Sequence, residues 1–129
     1  MKEKLAIVNE EDWKIEIGNI PKLRTYSKFK SKLFLEDYIL HHMNKRNRSF
    51  LAQFRLGILP LHIETGRYTN VPVNERICKL CELNEIEDEL HFLLFCPLYE
   101  FPRKLLYNNV TNLFPEFATY TTHEKFKFN

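Results

Sequence analysis

Apolar residues in the middle of this chain return every three or four positions. Phe50, Phe54 and Ile58 fall at i, i+4 and i+8 beside Leu51, which predicts a helix over 48–59 closed by Pro60. Phe29, Leu33, Tyr38, Ile39 and Leu40 predict another over 27–43, a stretch free of glycine and proline. A last helix is expected over 98–113 from Tyr99, Leu105, Leu106, Val110 and Leu113, with Pro102 in its opening turns delaying the start. Before it, Asn84 reads as an N-cap with Glu87 at N3, opening a helix over 86–95 that buries Ile86, Leu90, Leu93 and Leu94. The first two dozen residues read as a connector. Asn9-Glu-Glu-Asp12 caps a short helix through Trp13, or Trp13, Ile15 and Ile17 alternate as a brief strand, until Gly18-Asn19-Ile20-Pro21 breaks either. The stretch 61–68 is an ordered connector with Gly66 at a positive φ. Beyond Phe114-Pro115 the chain reads as a loose tail.

The cysteines change this picture. All three join one histidine in a single group, Cys78, Cys81, His91 and Cys96, spaced C-x2-C-x9-H-x4-C. Thiolate and imidazole are the donors Zn²⁺ prefers, and four of them close a tetrahedral structural site. The first pair fits a tight turn whose backbone amides donate to the thiolates. Cys96 precedes Pro97, so the helix ends where the fourth ligand is needed. Glu87, one turn before His91, either accepts the free imidazole N–H or stays a solvent-exposed capping glutamate. His62, between Leu61 and Ile63, reads as a hydrogen-bonded structural histidine. The fold class is therefore mainly α: a small helical domain with a zinc knuckle built as a short β-hairpin or turn plus a helix. Residues 1–24 form the N-terminal connector, 25–115 the helical zinc-binding domain and 116–129 the tail.

With 129 residues, the length suits one domain. No apolar run approaches the ~20 residues of a membrane span, and Met1-Lys-Glu-Lys4 leads into no signal-peptide core, so an intracellular setting (cytoplasm or nucleus) is expected. Net charge is only +2, but it is unevenly spread. From Lys22 to Arg55 the chain carries Lys22, Arg24, Lys28, Lys30, Lys32, Lys45, Arg46, Arg48 and Arg55 against only Glu36 and Asp37, whereas Glu82, Glu85, Glu87, Asp88, Glu89 and Glu100 crowd the cysteine segment. Such asymmetry lets a small protein meet a polyanion on one side; a solvated helical face is the alternative. Arg48 and Arg55, seven apart, share one face of the expected helix.

These residues resemble a known family. The C-x2-C-x9-H-x4-C spacing is similar to the C-terminal cysteine/histidine motif of non-LTR (LINE-type) retrotransposon polyproteins, which follows their reverse transcriptase domain. The flanking words carry the likeness further: Lys22-Leu-Arg-Thr-Tyr26, Arg55-Leu-Gly57, Ile63-Glu-Thr-Gly-Arg-Tyr68, Glu75-Arg-Ile-Cys78, Glu89-Leu-His91 and Cys96-Pro-Leu-Tyr99. The resemblance covers roughly residues 22–106. It implies one zinc ion held by Cys78, Cys81, His91 and Cys96, engagement of RNA or DNA, and an upstream reverse transcriptase domain of the same polyprotein as a possible partner. Arg55, Arg67 and Arg76 match basic positions of those words. With Lys45, Arg46 and Arg48 they make up the candidate nucleic-acid contacts.

The polymerase would need a Tyr/Phe-x-Asp-Asp pair and the downstream nuclease a cluster of acids with a lysine. Neither occurs, so the resemblance implies a detached end piece or a degenerate fragment, without catalysis of its own. Four ligands also fill the shell that a catalytic zinc leaves open. No Gly-rich phosphate loop or Ser-centred elbow is present. The expected function is a zinc-stabilised nucleic-acid-binding module, and the alternative is a structural or protein-interaction zinc module.

Overall fold

The computed structural model describes residues 2–127. Met1, Phe128 and Asn129, at the outer ends of the expected connector and tail, lie outside the described residues. The fold is mainly helical, and the chain divides into two compact units, 1–59 and 60–129.

In the first unit the expected connector is a helix, α1 (Lys2–Asn19). The chain meets no proline before Pro21, and Lys14 pairs with Glu10 one turn back at 3.0 Å. Ile17 turns inward, as does Thr25 beyond the 3-10 turn Pro21–Leu23.

The helix expected over 27–43 does not form as one piece. It splits into α2 (Tyr26–Phe29) and α3 (Asp37–Leu40), separated by Lys30 and Glu36 in extended conformations. Its apolar residues do not share a buried face: Leu33, Phe34, Leu35, Ile39 and Leu40 are all exposed. The break instead lets Glu36 fold back onto Lys30 and Arg55.

Next comes α4 (Lys45–Leu56), which starts three residues earlier than its apolar spacing indicates. Asn44 supplies the cap, its Oδ1 accepting from the Asn47 amide at 2.8 Å. Gly57, in the left-handed region at φ 68°, ends the helix before Pro60 is reached.

The second unit opens with α5 (His62–Tyr68), so Gly66 is helical and not at a positive-φ turn. Its lack of a side chain serves a close approach: a Cβ there would meet Arg76 Cγ at 2.8 Å and Cδ at 2.9 Å. Arg76 lies across this surface, donating from Nε to the Val71 carbonyl (2.8 Å) and from Nη1 to the Ile63 carbonyl (2.9 Å).

An antiparallel bridge pairs Ile77 with Ile86 and closes the loop between them. The Cys78 amide donates to the Glu85 carbonyl (2.8 Å) and the Glu87 amide to the Arg76 carbonyl (3.0 Å). Asn84 is therefore no helix cap. It turns the loop at φ 54°, and helical residues begin only at Glu89. Asp88 takes over the capping, its Oδ1 accepting from the His91 amide at 2.8 Å.

A 3-10 turn, Pro97–Tyr99, leads into α6 (Glu100–Leu113). Pro102 falls in the first turn, where a missing amide hydrogen costs little. The expected tail is folded. A 3-10 turn (Pro115–Thr119) and α7 (Thr122–Lys127) bury Phe117 and Phe126, and Phe117 packs edge-on against Tyr107 at 5.5 Å. Thr121 and Glu124 cap α7 reciprocally: Glu124 Oε2 accepts from the Thr121 amide (2.7 Å), and Thr121 Oγ1 accepts from the Glu124 amide (3.3 Å). No helix among the described residues is long and apolar enough to cross a membrane.

Candidate metal centre

Cys78, Cys81, His91 and Cys96 come together. Each offers one donor atom, and the four atoms lie within 4.8 Å of one another, close enough to hold a metal ion. Cys81 Sγ stands 3.4 Å from His91 Nε2. Cys78, His91 and Cys96 are buried, and Cys81 is half-buried.

Two local devices make the group. The Ile77–Ile86 bridge fixes the stem of the loop, so Cys78 and Cys81 point inward from one turn. The second device is a π turn at His91–Phe95, closed by the Cys96 amide donating to the His91 carbonyl at 2.7 Å. Residues five apart on an α-helix stand about 140° from each other, since each residue turns about 100°. Closing the bond at i→i+5 widens the turn and returns Cys96 to the face of His91. The x4 gap in the sequence is thus matched by an uncommon backbone turn. Arg103 of α6 fastens its end, donating from Nη2 to the Cys96 carbonyl at 2.8 Å and from Nη1 to that of Leu93 at 3.4 Å. No spacing signal marks Arg103 in the sequence, because its partner is a backbone carbonyl.

The carboxylate on the histidine is not the expected one. Glu85 Oε2 lies 3.2 Å from His91 Nδ1, leaving Nε2 toward the sulfurs. Glu87 is turned elsewhere: its Oε2 accepts from the His62 amide at 2.7 Å, and its Oε1 lies 3.8 Å from Cys78 Sγ. Its backbone carbonyl also takes the Ile63 amide at 3.1 Å. Glu87 therefore satisfies the otherwise unpaired amides at the start of α5. Helical periodicity selected Glu87 for His91, but the segment is a bridge strand at that point, and Glu85 is the residue that reaches the ring. His62 is the structural histidine expected, with Nδ1 2.8 Å from the Ile77 carbonyl.

Burial pushes the Cys78 thiol up to about 11, with Cys81 and Cys96 adding to the rise, while the backbone amides of Leu80 and Cys81 pull the other way. A buried thiolate among sulfurs is costly on its own, which is the environment a cation relieves.

The candidate nucleic-acid residues separate into two sets. Arg55 is buried: Nη2 meets Glu36 Oε2 at 2.7 Å, and its guanidinium stacks 5.0 Å from the Phe29 ring centre and 5.5 Å from that of Tyr38. Arg76 is engaged by the two carbonyls described above. Arg67 reaches back to Glu64 at 3.1 Å. Arg55 and Arg76 are engaged within the fold, and Arg67, though exposed, pairs with Glu64. Lys45, Arg46 and Arg48 remain exposed on the first turns of α4, with no ion pair among the described residues.

No protein-family model, curated protein or solved structure matches the chain.

Proposed function

We propose that this protein is a zinc-stabilised nucleic-acid-binding module without catalysis of its own, like the C-terminal end of the retrotransposon polyproteins its sequence resembles. The observation that carries the metal half is the convergence of three sulfurs and one imidazole nitrogen within 4.8 Å. A zinc tetrahedron with Zn–S bonds of about 2.3 Å has sulfur–sulfur edges of about 3.8 Å and sulfur–nitrogen edges of about 3.5 Å. The observed Cys81–His91 separation of 3.4 Å fits the second. The donor set is the one zinc prefers over harder cations. Zinc bound there supplies folding free energy, on the order of 10 kcal/mol in small sites, by crosslinking the bridge loop to the π turn. Glu85 orients His91, and Arg103 holds Cys96 at the end of its turn.

The nucleic-acid half rests on Lys45, Arg46 and Arg48. From Tyr38 to Ile63 the chain carries no acidic residue, so these cations keep an uncompensated field. Metal analysis by mass spectrometry on protein purified without added zinc, followed by salt-dependent binding to RNA and DNA, tests both halves. One zinc per chain with binding that weakens linearly in log salt is expected. One zinc without binding favours a second reading, a protein-interaction module. That reading draws on the apolar surface of α6, where Phe101 and Leu113 are about three-quarters exposed, at 74% and 75%.

A further inference from the structure

The first turns of α4 form a groove of about 850 Å³ lined by Lys45, Arg46, Asn47, Ser49, Phe50 and Gln53. We infer that this groove is a binding face for single-stranded nucleic acid, with Phe50 as the stacking platform and Lys45 and Arg46 as the phosphate contacts. This assignment rests on the nucleic-acid reading above and names its substrate class.

Three features carry it. Helical spacing sets Lys45, Ser49 and Gln53 in one row at i, i+4, i+8, and Arg46 and Phe50 in the adjacent row. A basic rim and an aromatic ring therefore lie side by side on one surface. Phe50 is 52% exposed in the midst of polar and charged neighbours, where a core phenylalanine would be covered. Finally, no ion pair among the described residues draws Lys45 or Arg46 away.

The exposed ring decides between strands. A duplex keeps its bases stacked on one another and offers the protein phosphates and groove edges. An unpaired strand presents base faces, and an aromatic side chain beside a cationic rim takes them in any sequence. Asn47, Ser49 and Gln53 add amide and hydroxyl groups for base edges, while Gln53 Nε2 already donates to Ser49 Oγ at 3.4 Å. An acidic protein segment would meet the same cations but gain little from the ring face.

The test uses the full chain with a fluorescein-labelled 20-nucleotide RNA, the DNA of the same sequence, the corresponding DNA duplex, and poly-glutamate as the acidic-protein probe. Fluorescence anisotropy across salt is measured for wild type, Phe50→Ala, Phe50→Trp and the double variant Lys45→Gln/Arg46→Gln. The expected result is preference for the single strands, about tenfold weaker single-strand binding in Phe50→Ala with an unchanged salt slope, and recovery in Phe50→Trp. The double variant should flatten the salt slope by about 0.7 for each phosphate no longer neutralised. Unchanged melting temperatures would show that the exposed substitutions leave the fold alone. Equal binding by wild type and Phe50→Ala, or preference for duplex or poly-glutamate, overturns the single-strand face; if duplex still binds, the broader nucleic-acid reading stands. No binding to any nucleic acid removes both.

Discussion

Arg55 Nη2 lies 2.7 Å from Glu36 Oε2, with the guanidinium held between the rings of Phe29 and Tyr38. Removing Arg55 takes from Glu36 its nearer cation, leaving Lys30 at 3.3 Å, and empties the space against the two rings, at a cost of about 1–3 kcal/mol. Arg55→Ala should therefore lower the melting temperature clearly, while Arg48→Ala, exposed in the first turn of the same helix, stays within about 0.5 kcal/mol of wild type. The binding effects should run the other way. If Arg55→Ala melts like wild type, the pair is not a structural tie.

The metal group gives a graded series. Cys96→Ser should release the ion and cause a large loss of thermal stability. Glu85→Gln, which changes only the group orienting His91, should keep the fold and weaken metal affinity by about 10- to 100-fold in a chelator competition. Glu87→Gln should affect affinity less than Glu85→Gln, because its carboxylate braces α5. The reverse ranking would return the orienting role to Glu87.

Gly66 and Arg76 should behave as a unit. A methyl at position 66 would sit 2.8 Å from Arg76 Cγ, whose head group is tied to two carbonyls and cannot simply swing away. Gly66→Ala should cost about 1–3 kcal/mol, as overpacking commonly does. In the Arg76→Ala background the same change should cost less, and a double-mutant cycle of melts measures that coupling. Strict additivity would mean the two do not share the space.

Acid should loosen α7 in a defined direction. Hydrogen bonds from the Thr121 backbone, and then its side chain, hold the Glu124 carboxyl below the usual glutamate range. A carboxylate depressed in the fold contributes its full stability above the unfolded value of about 4.3, and loses it as pH falls through the lower folded value. Amide chemical shifts of Thr121 and Glu124, followed by NMR, should titrate below the ordinary glutamate midpoint. Glu124→Gln should remove that acid transition. A midpoint at the ordinary value would mean the cap does not hold the carboxylate.

Some of this architecture was legible in the chain. The α4 stripe of Phe50 and Phe54 led to a helix because a 3.6-residue repeat is a local property, and Phe54 does pack against Phe29 at 6.0 Å. Over 27–43 the same repeat misled, since the break at Lys30 depends on where Glu36 finds Arg55, nineteen residues further on. Phe117 and Phe126 carried no pattern marking them as core, yet both are buried. Phe117 owes its burial to partners such as Tyr107, which periodicity within the terminal segment cannot reveal.

By itself, the sequence determined the mainly helical class and the four residues that could share a metal, because donor chemistry and ligand spacing are written in residue type and order. Only the tertiary structure decided which charges are available. Arg46 and Arg55 are the same residue on the same helix, but one faces solvent and the other is closed over by Glu36, Phe29 and Tyr38. Likewise Glu85 and Glu87 are the same carboxylate two positions apart on an extended segment, and only the Ile77–Ile86 bridge gives one to His91 and the other to the His62 amide. A side chain's partner is fixed by the three-dimensional path of the backbone around it, which the order of residues encodes only through the whole fold.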